Sequence, residues 1–197
     1  MTKRESAIKR KTEETEIEVY LNLDGRGETK IDTGVPFFDH MLDLLSKHGL
    51  FDLTVKAKGD LEVDAHHTVE DVGICLGQAF RQSLGDKKGI ARFGFSIVPM
   101  DEALALVSLD ISGRPHLIYD VELPIELIGS FDTSLAHEFL HALVNHSAVT
   151  LHIKLLSGRN AHHIIEAIFK ALAKAMSMAV SLEPRRAGEV PSTKGKI

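Results

Sequence analysis

The feature that most constrains this chain is that it nearly repeats itself. The segment FFDHMLDLLSKHGLFDLTVK (37–56) aligns without gaps on 135–154 at an offset of 98, so that Leu45 falls on Leu143, His48 on His146, Leu53 on Leu151 and Lys56 on Lys154. After a two-residue deletion, AHHTVED (65–71) falls on AHHIIEA (161–167) at an offset of 96. Upstream, VYLNLDGRG (19–27) resembles LVSLDISGR (106–114). Both halves therefore run through alternating strands, a helix, a strand and a second helix that opens on a His pair. We read this as a tandem duplication.

Local patterns agree. Ile17, Val19, Leu21 and Leu23 alternate with polar residues, as in a half-buried strand, and Asp24-Gly25 marks its turn. Met41, Leu42, Leu44 and Leu45 crowd one side of a helix expected to end near Gly49. Val69, Val72, Leu76, Ala79 and Phe80 recur at helical spacing in a helix closing near Gly85, and the last helix spans roughly 162–182, stopping at Glu183-Pro184. The expected class is α+β: two half-domains, 1–93 and 94–182, each a small, mainly antiparallel sheet with two helices on one face, packed helix to helix. Residues 183–197 form a basic tail, which composition alone reads as a frayed terminus.

Charge narrows the function. The net charge of −5 divides into basic ends and an acidic body, which argues against a nucleic-acid binder with a basic face. The basic N-terminus has no apolar run and is not expected to be a secretory signal. No stretch of 18 apolar residues occurs, and the single cysteine, Cys75, cannot form an internal disulfide. A reducing cytoplasm fits best.

Eleven histidines are present, four of them in two matched HHxxE motifs, His66-His67-x-x-Glu70 and His162-His163-x-x-Glu166. On a helix the first His and the Glu share a face, while the paired imidazoles point about 100° apart. One helix can thus offer an imidazole and a carboxylate to one metal and its second imidazole to another. His40 and its repeat equivalent Glu138 bring the candidate ligands to eight. With no cysteine among them, this donor set suits Mn, Fe, Co or Zn. His137 and His141 fall on a different face from Glu138 and read as bystanders; His48, His146 and His152 read as structural. Lys170 follows Glu166 by four residues, and a cation beside a metal site implies an intervening anion, as a phosphate substrate would supply. Glu14 falls in a Glu-rich strand segment and Asp101 at the start of a second-half strand. Pattern alone permits a dinuclear metallohydrolase of a phosphorylated metabolite or a non-enzymatic protein assembled through metal bridges.

FFDHML, AHHTVED, MDEAL, SLDISGRP, LHIKLLSGRNAHHIIEAIFKALAKAM and the closing PSTKG together resemble the imidazoleglycerol-phosphate dehydratases of histidine biosynthesis. The resemblance runs from about Arg10 to Gly195. It implies a duplicated fold of the ribosomal protein S5 domain 2-like type and a homo-oligomer of 24 subunits. It also implies two Mn2+ per active site, completed between neighbouring subunits, and dehydration of imidazole glycerol phosphate to imidazole acetol phosphate. The implied metal ligands are His40, His66, His67, Glu70, His162, His163 and Glu166. Glu138 stands where several members carry a histidine. Implied substrate contacts are Glu14, Arg92, Arg114, Lys170, Ser192 and Lys194, with Glu14 and Asp101 catalytic and the tail folded over a neighbour's substrate phosphate.

Overall fold

The computed structural model describes residues 3–197. In the first half, β1 (Glu5–Lys11), β2 (Thr15–Asn22) and β3 (Thr29–Asp32) lead to α1 (Pro36–Gly49), β4 (Asp52–Gly59) and α2 (His66–Ser83). The second half opens with β5 (Phe93–Met100), β6 (Ala103–Asp110) and β7 (His116–Asp120). A short hairpin of β8 (Leu127–Ile128) and β9 (Phe131–Asp132) follows, then α3 (Leu135–Ser147), β10 (Thr150–Ser157) and α4 (Ala161–Val180).

The two main sheets have the same topology, β1-β2-β4-β3 and β5-β6-β10-β7. Each is antiparallel except for one edge pair, β3 with β4 and β7 with β10, which run parallel. A parallel neighbour cannot be reached by a hairpin, so a helix (α1 or α3) carries the chain back across the sheet. Alternation along β2 buries Ile17, Val19 and Leu21 against the helices. Among the described residues, the β8–β9 hairpin has no counterpart in the first half. Its Phe131 is fully buried, with ring centroids 5.2 Å from Phe37 and 6.2 Å from Phe38.

α1 ends at Gly49, where its spacing predicts, and the left-handed residue that follows is Leu50 (φ 59°); the repeat equivalent Ala148 does the same after α3 (φ 57°). Gly49 serves close packing instead, since a Cβ there would lie 2.5 Å from the Phe51 ring.

The halves meet through their helices, α1 packing on α4 and α2 on α3. Phe38, Phe139 and Phe169 are fully buried at this junction, with centroids 5.2 and 5.5 Å apart along the series. Such pairs add about 0.5–1.5 kcal/mol each beyond their buried area. The pairing places the start of α1, in one half, beside the start of α4, in the other. Among the described residues no helix is long and apolar enough to cross a membrane.

Close approach of α2 to α3 depends on two glycines. A Cβ at Gly77 would lie 2.6 Å from the Leu143 carbonyl oxygen, and one at Gly73 2.8 Å from that of Phe139. In an unconstrained helix Gly→Ala gains about 1 kcal/mol. Here the added methyl meets backbone, and overpacking of this kind costs about 1–3 kcal/mol. Gly77→Ala should therefore lower the midpoint of urea unfolding; a raised midpoint would show that the helices are free to separate.

Candidate metal and substrate site

The first turn of α4 carries the site's centre. Asn160 caps the helix by accepting a hydrogen bond from the His163 backbone N–H, which sets where the His pair begins. Four residues on, Glu166 faces the same way as His162, whose Nε2 lies 3.1 Å from Glu166 Oε1. His40 of α1 reaches the same oxygen from the other half, its Nε2 at 3.0 Å. His40, His162 and Glu166 thus present one donor atom each, all within 4.8 Å of one another. Two imidazole nitrogens converging on one carboxylate oxygen form a mixed N/O donor set that fits a borderline divalent metal. Phe37 braces the His162 ring edge-on at 5.0 Å.

Glu166 is 6% exposed, and burial alone would raise its pKa. Hydrogen bonds from Lys170, His40 and His162 outweigh that and hold the carboxyl at about 2. Lys170 Nζ is 2.6 Å from Glu166 Oε2 and 3.2 Å from the Met100 sulfur. The inference from Lys170 to an external anion therefore changes: Glu166 itself supplies the negative partner.

The second histidine of each pair points elsewhere. The His162 and His163 rings are inclined by 81°, and those of His66 and His67 by 88°. His163 Nδ1 lies 2.7 Å from Glu102 Oε2, and His67 Nδ1 lies 3.0 Å from Asp60 Oδ2. These bonds raise both imidazole pKa values from the ordinary value. The same contact with His163, reinforced by the backbone N–H of Asn160, lowers Glu102 to about 2.

Glu14 and Asp101 occupy turns, not strands. Glu14 lies in the β1–β2 turn, where the Thr12 hydroxyl accepts from the backbone N–H groups of Glu14 and Thr15. Asp101, with φ 48°, begins the two-residue turn between β5 and β6. The two are counterparts: Glu14 Oε1 is 3.9 Å from His67 Nε2, and Asp101 Oδ2 is 3.7 Å from His163 Nε2.

Other expected residues are gathered less tightly. His66 lines a cleft with Leu135, the repeat equivalent of Phe37, and Glu70 lies four residues further along α2. Among the described residues, however, His66, Glu70 and Glu138 do not converge as His40, His162 and Glu166 do. Glu138 instead lies 3.2 Å from His137 Nδ1, so His137, read as a bystander, contacts a candidate ligand. His137 also stacks on His141 with centroids 6.1 Å apart.

Arg92, Arg114, Ser192 and Lys194 form a separate group at the far end of α4. The Arg92 backbone N–H donates to the Ala179 carbonyl, thirteen residues beyond Glu166, or about 20 Å of helix. The Arg92 guanidinium donates to both carboxylate oxygens of Asp110, at 2.7 and 3.2 Å, and to the Pro191 carbonyl at 2.8 Å. Its immediate role is thus to hold the tail. Pro191 is buried and the Ser192 hydroxyl accepts from the Lys194 N–H. The chain end lies beside Gly113, next to Arg114. The tail is therefore packed on its own chain rather than frayed. Missed by the pattern reading were Glu102 and Asp60; the only available signals were the acidic pair after Pro99 and a lone Asp after a strand.

A model of the imidazoleglycerol-phosphate dehydratase family matches residues 33–176. A relative of that name from Microcystis aeruginosa is 57% identical, over 98% of this chain and 93% of that protein. One from Trichodesmium erythraeum is 58% identical, over 98% and 91% respectively. A solved imidazoleglycerol-phosphate dehydratase from Staphylococcus aureus superposes with a TM-score of 0.83 at 40% identity, covering 91% of this chain and 99% of that one.

The contacts of Arg92 lead to a specific expectation. Arg92→Ala removes a charge-assisted hydrogen bond worth about 1.5–3 kcal/mol. Amide hydrogen exchange over residues 189–197 should accelerate by about tenfold or more, while exchange in α4 stays slow. Unchanged exchange in the tail would show that Arg92 does not hold it. The matches in sequence and fold, over nearly the whole length, make this chain a member of the imidazoleglycerol-phosphate dehydratase family.

Proposed function

We propose that this protein is a metal-dependent lyase of histidine biosynthesis that dehydrates imidazole glycerol phosphate to imidazole acetol phosphate. The observation that carries the metal dependence is the convergence of His40 and His162 on Glu166. Each active site would hold two Mn2+ ions, with His66, His67, Glu70, Glu138 and His163 as the remaining ligands.

Dehydration removes a hydrogen from one carbon and a hydroxyl from its neighbour, and the resulting enol becomes the ketone. The difficulty is that no carbonyl adjoins the carbon that loses its proton. Bound metal ions would supply Lewis acidity, drawing electron density into the substrate's imidazole ring. Glu14, on an exposed turn ordered by Thr12, is free to take up the proton. Asp101, in the equivalent turn of the second half and 3.7 Å from His163 Nε2, is the second catalytic carboxylate. Lys170 keeps Glu166 ionised and fixes its second oxygen. Arg92, Arg114, Ser192 and Lys194 receive the phosphate.

Those phosphate residues lie about 20 Å along α4 from Glu166, farther than a three-carbon chain between ring and phosphate can span. This separation supports a site completed by a neighbouring subunit. So does the outer face of the second sheet. Phe93, Phe95 and Ile97 alternate outward on edge strand β5, each more than half exposed, whereas the corresponding face of β1 carries Glu5, Ala7 and Lys9. An apolar strand face of this kind supports a contact between copies. The family resemblance implies an assembly of 24 subunits.

Mn2+-loaded protein should convert imidazole glycerol phosphate to the keto product without releasing phosphate. Chelation should abolish turnover and added Mn2+ restore it; free phosphate would point to hydrolysis instead. Glu14→Gln with full metal content should lower kcat by about a hundredfold or more. Near-normal turnover would remove Glu14 from the proton path.

A further inference from the structure

We infer that Glu102 and Asp60 are positioning residues that hold His163 and His67 in the Nδ1–H tautomer, leaving each Nε2 bare for a metal. This rests on the metal-dependent reading above and extends it to two residues outside the HHxxE motifs.

A neutral imidazole carries one proton, and the hydrogen bond made by one ring nitrogen decides which nitrogen keeps it. An ionised carboxylate only accepts. Glu102 Oε2 at 2.7 Å from His163 Nδ1 therefore demands a proton on that nitrogen, as does Asp60 Oδ2 at 3.0 Å from His67 Nδ1. The competing carboxylates do not reverse this. Asp101 is 3.7 Å from His163 Nε2 and Glu14 is 3.9 Å from His67 Nε2, both beyond hydrogen-bond length. Each ring thus has one nitrogen engaged and the other facing an acidic turn. Carboxylate partners of this type fix ring orientation and make a ligating nitrogen more basic.

The two halves arrive at this arrangement from different elements. Asp60 follows β4, the strand that leads into α2, so it lies seven residues before His67. Glu102 comes from the β5–β6 turn, 61 residues before His163. The repeat alignment does not pair them, so the recurrence of an Nδ1 carboxylate is not simply inherited with the motif. Glu102 is also fixed in place: its Oε1 accepts from the backbone N–H groups of Arg159 and Asn160, at 3.2 and 2.9 Å. That clamp makes Glu102→Gln informative. The two N–H donors should hold the glutamine oxygen, which turns the amide NH2 toward His163 Nδ1. An NH2 donor there favours the opposite tautomer, with the proton on Nε2.

The test uses metal-free full-length protein with 15N-labelled histidine, at a pH above the raised imidazole values, together with Mn2+ titration followed by the free-ion EPR signal. In the wild type, the 15N shifts of His163 and His67 should report a protonated Nδ1 and a bare Nε2. Glu102→Gln should reverse the tautomer of His163 alone, and Asp60→Asn should disturb His67 alone. Each variant should weaken Mn2+ binding by about 10–100-fold. A wild-type ring with its proton on Nε2 would overturn the inference without any variant. Variants that bind Mn2+ as the wild type does would also overturn it. Failure of the wild type to bind Mn2+ would instead sink the metal-dependent reading, and with it the purpose assigned to these carboxylates. Glu102→Asp, which keeps the charge, should retain the wild-type tautomer of His163; its loss would show that Glu102 acts only by clamping the backbone.

Discussion

The pairing of helices across the duplication is the constraint on which the rest of the structure depends. Because α1 packs on α4, and α2 on α3, neither half has to bury its helical face alone. The same crossing joins chemistry from both halves. His40, on the first helix of one half, meets His162 and Glu166, on the second helix of the other. Small residues make the approach possible at α2–α3, and a run of phenylalanine rings fills the junction. A duplication that failed to pack would leave each half with one ligand helix and an exposed apolar face.

Glu166 shows how that packing becomes electrostatics. A buried carboxylate is costly unless it is paired and hydrogen-bonded. Here one oxygen meets two imidazoles and the other a lysine, so the charge is retained. An ionised, held carboxylate between two imidazole nitrogens is an arrangement ready for a cation. The basic group at the other end of α4, to which we assign the phosphate, is kept apart by the length of the helix. Joining the two into one active site is what a second copy of the chain would contribute.

Much of this was legible in the order of residues because the signals are local. The HHxxE spacing places His162 and Glu166 on one face by helix geometry alone, and the repeat made His40 noticeable by its alignment with Glu138. Partners far apart along the chain were not legible. Nothing near Glu102 indicates that its carboxylate will turn toward His163, since the β5–β6 register and the cap at Asn160 decide that together. Glu14 reads as a strand residue because its neighbours are strand formers, yet the Thr12 hydroxyl captures two backbone N–H groups and makes a turn. The short edge strand β3, TKID, has a single apolar residue, Ile31, and so no alternation to find. The tail's composition is that of a loose end, and contacts made elsewhere in the fold, such as the Arg92–Pro191 hydrogen bond and the chain end beside Gly113, distinguish it from one.

The central claim is that His40, His162 and Glu166 of one chain form the core of a metal site that a neighbouring chain completes. Anomalous diffraction at the manganese edge, from crystals of Mn2+-loaded protein, tests it most directly. The account predicts an anomalous peak bonded to His40 Nε2, His162 Nε2 and Glu166 Oε1, with a further donor from another copy of the chain. An absent peak, or one bonded to other residues while this triad keeps its internal hydrogen bonds, would contradict it.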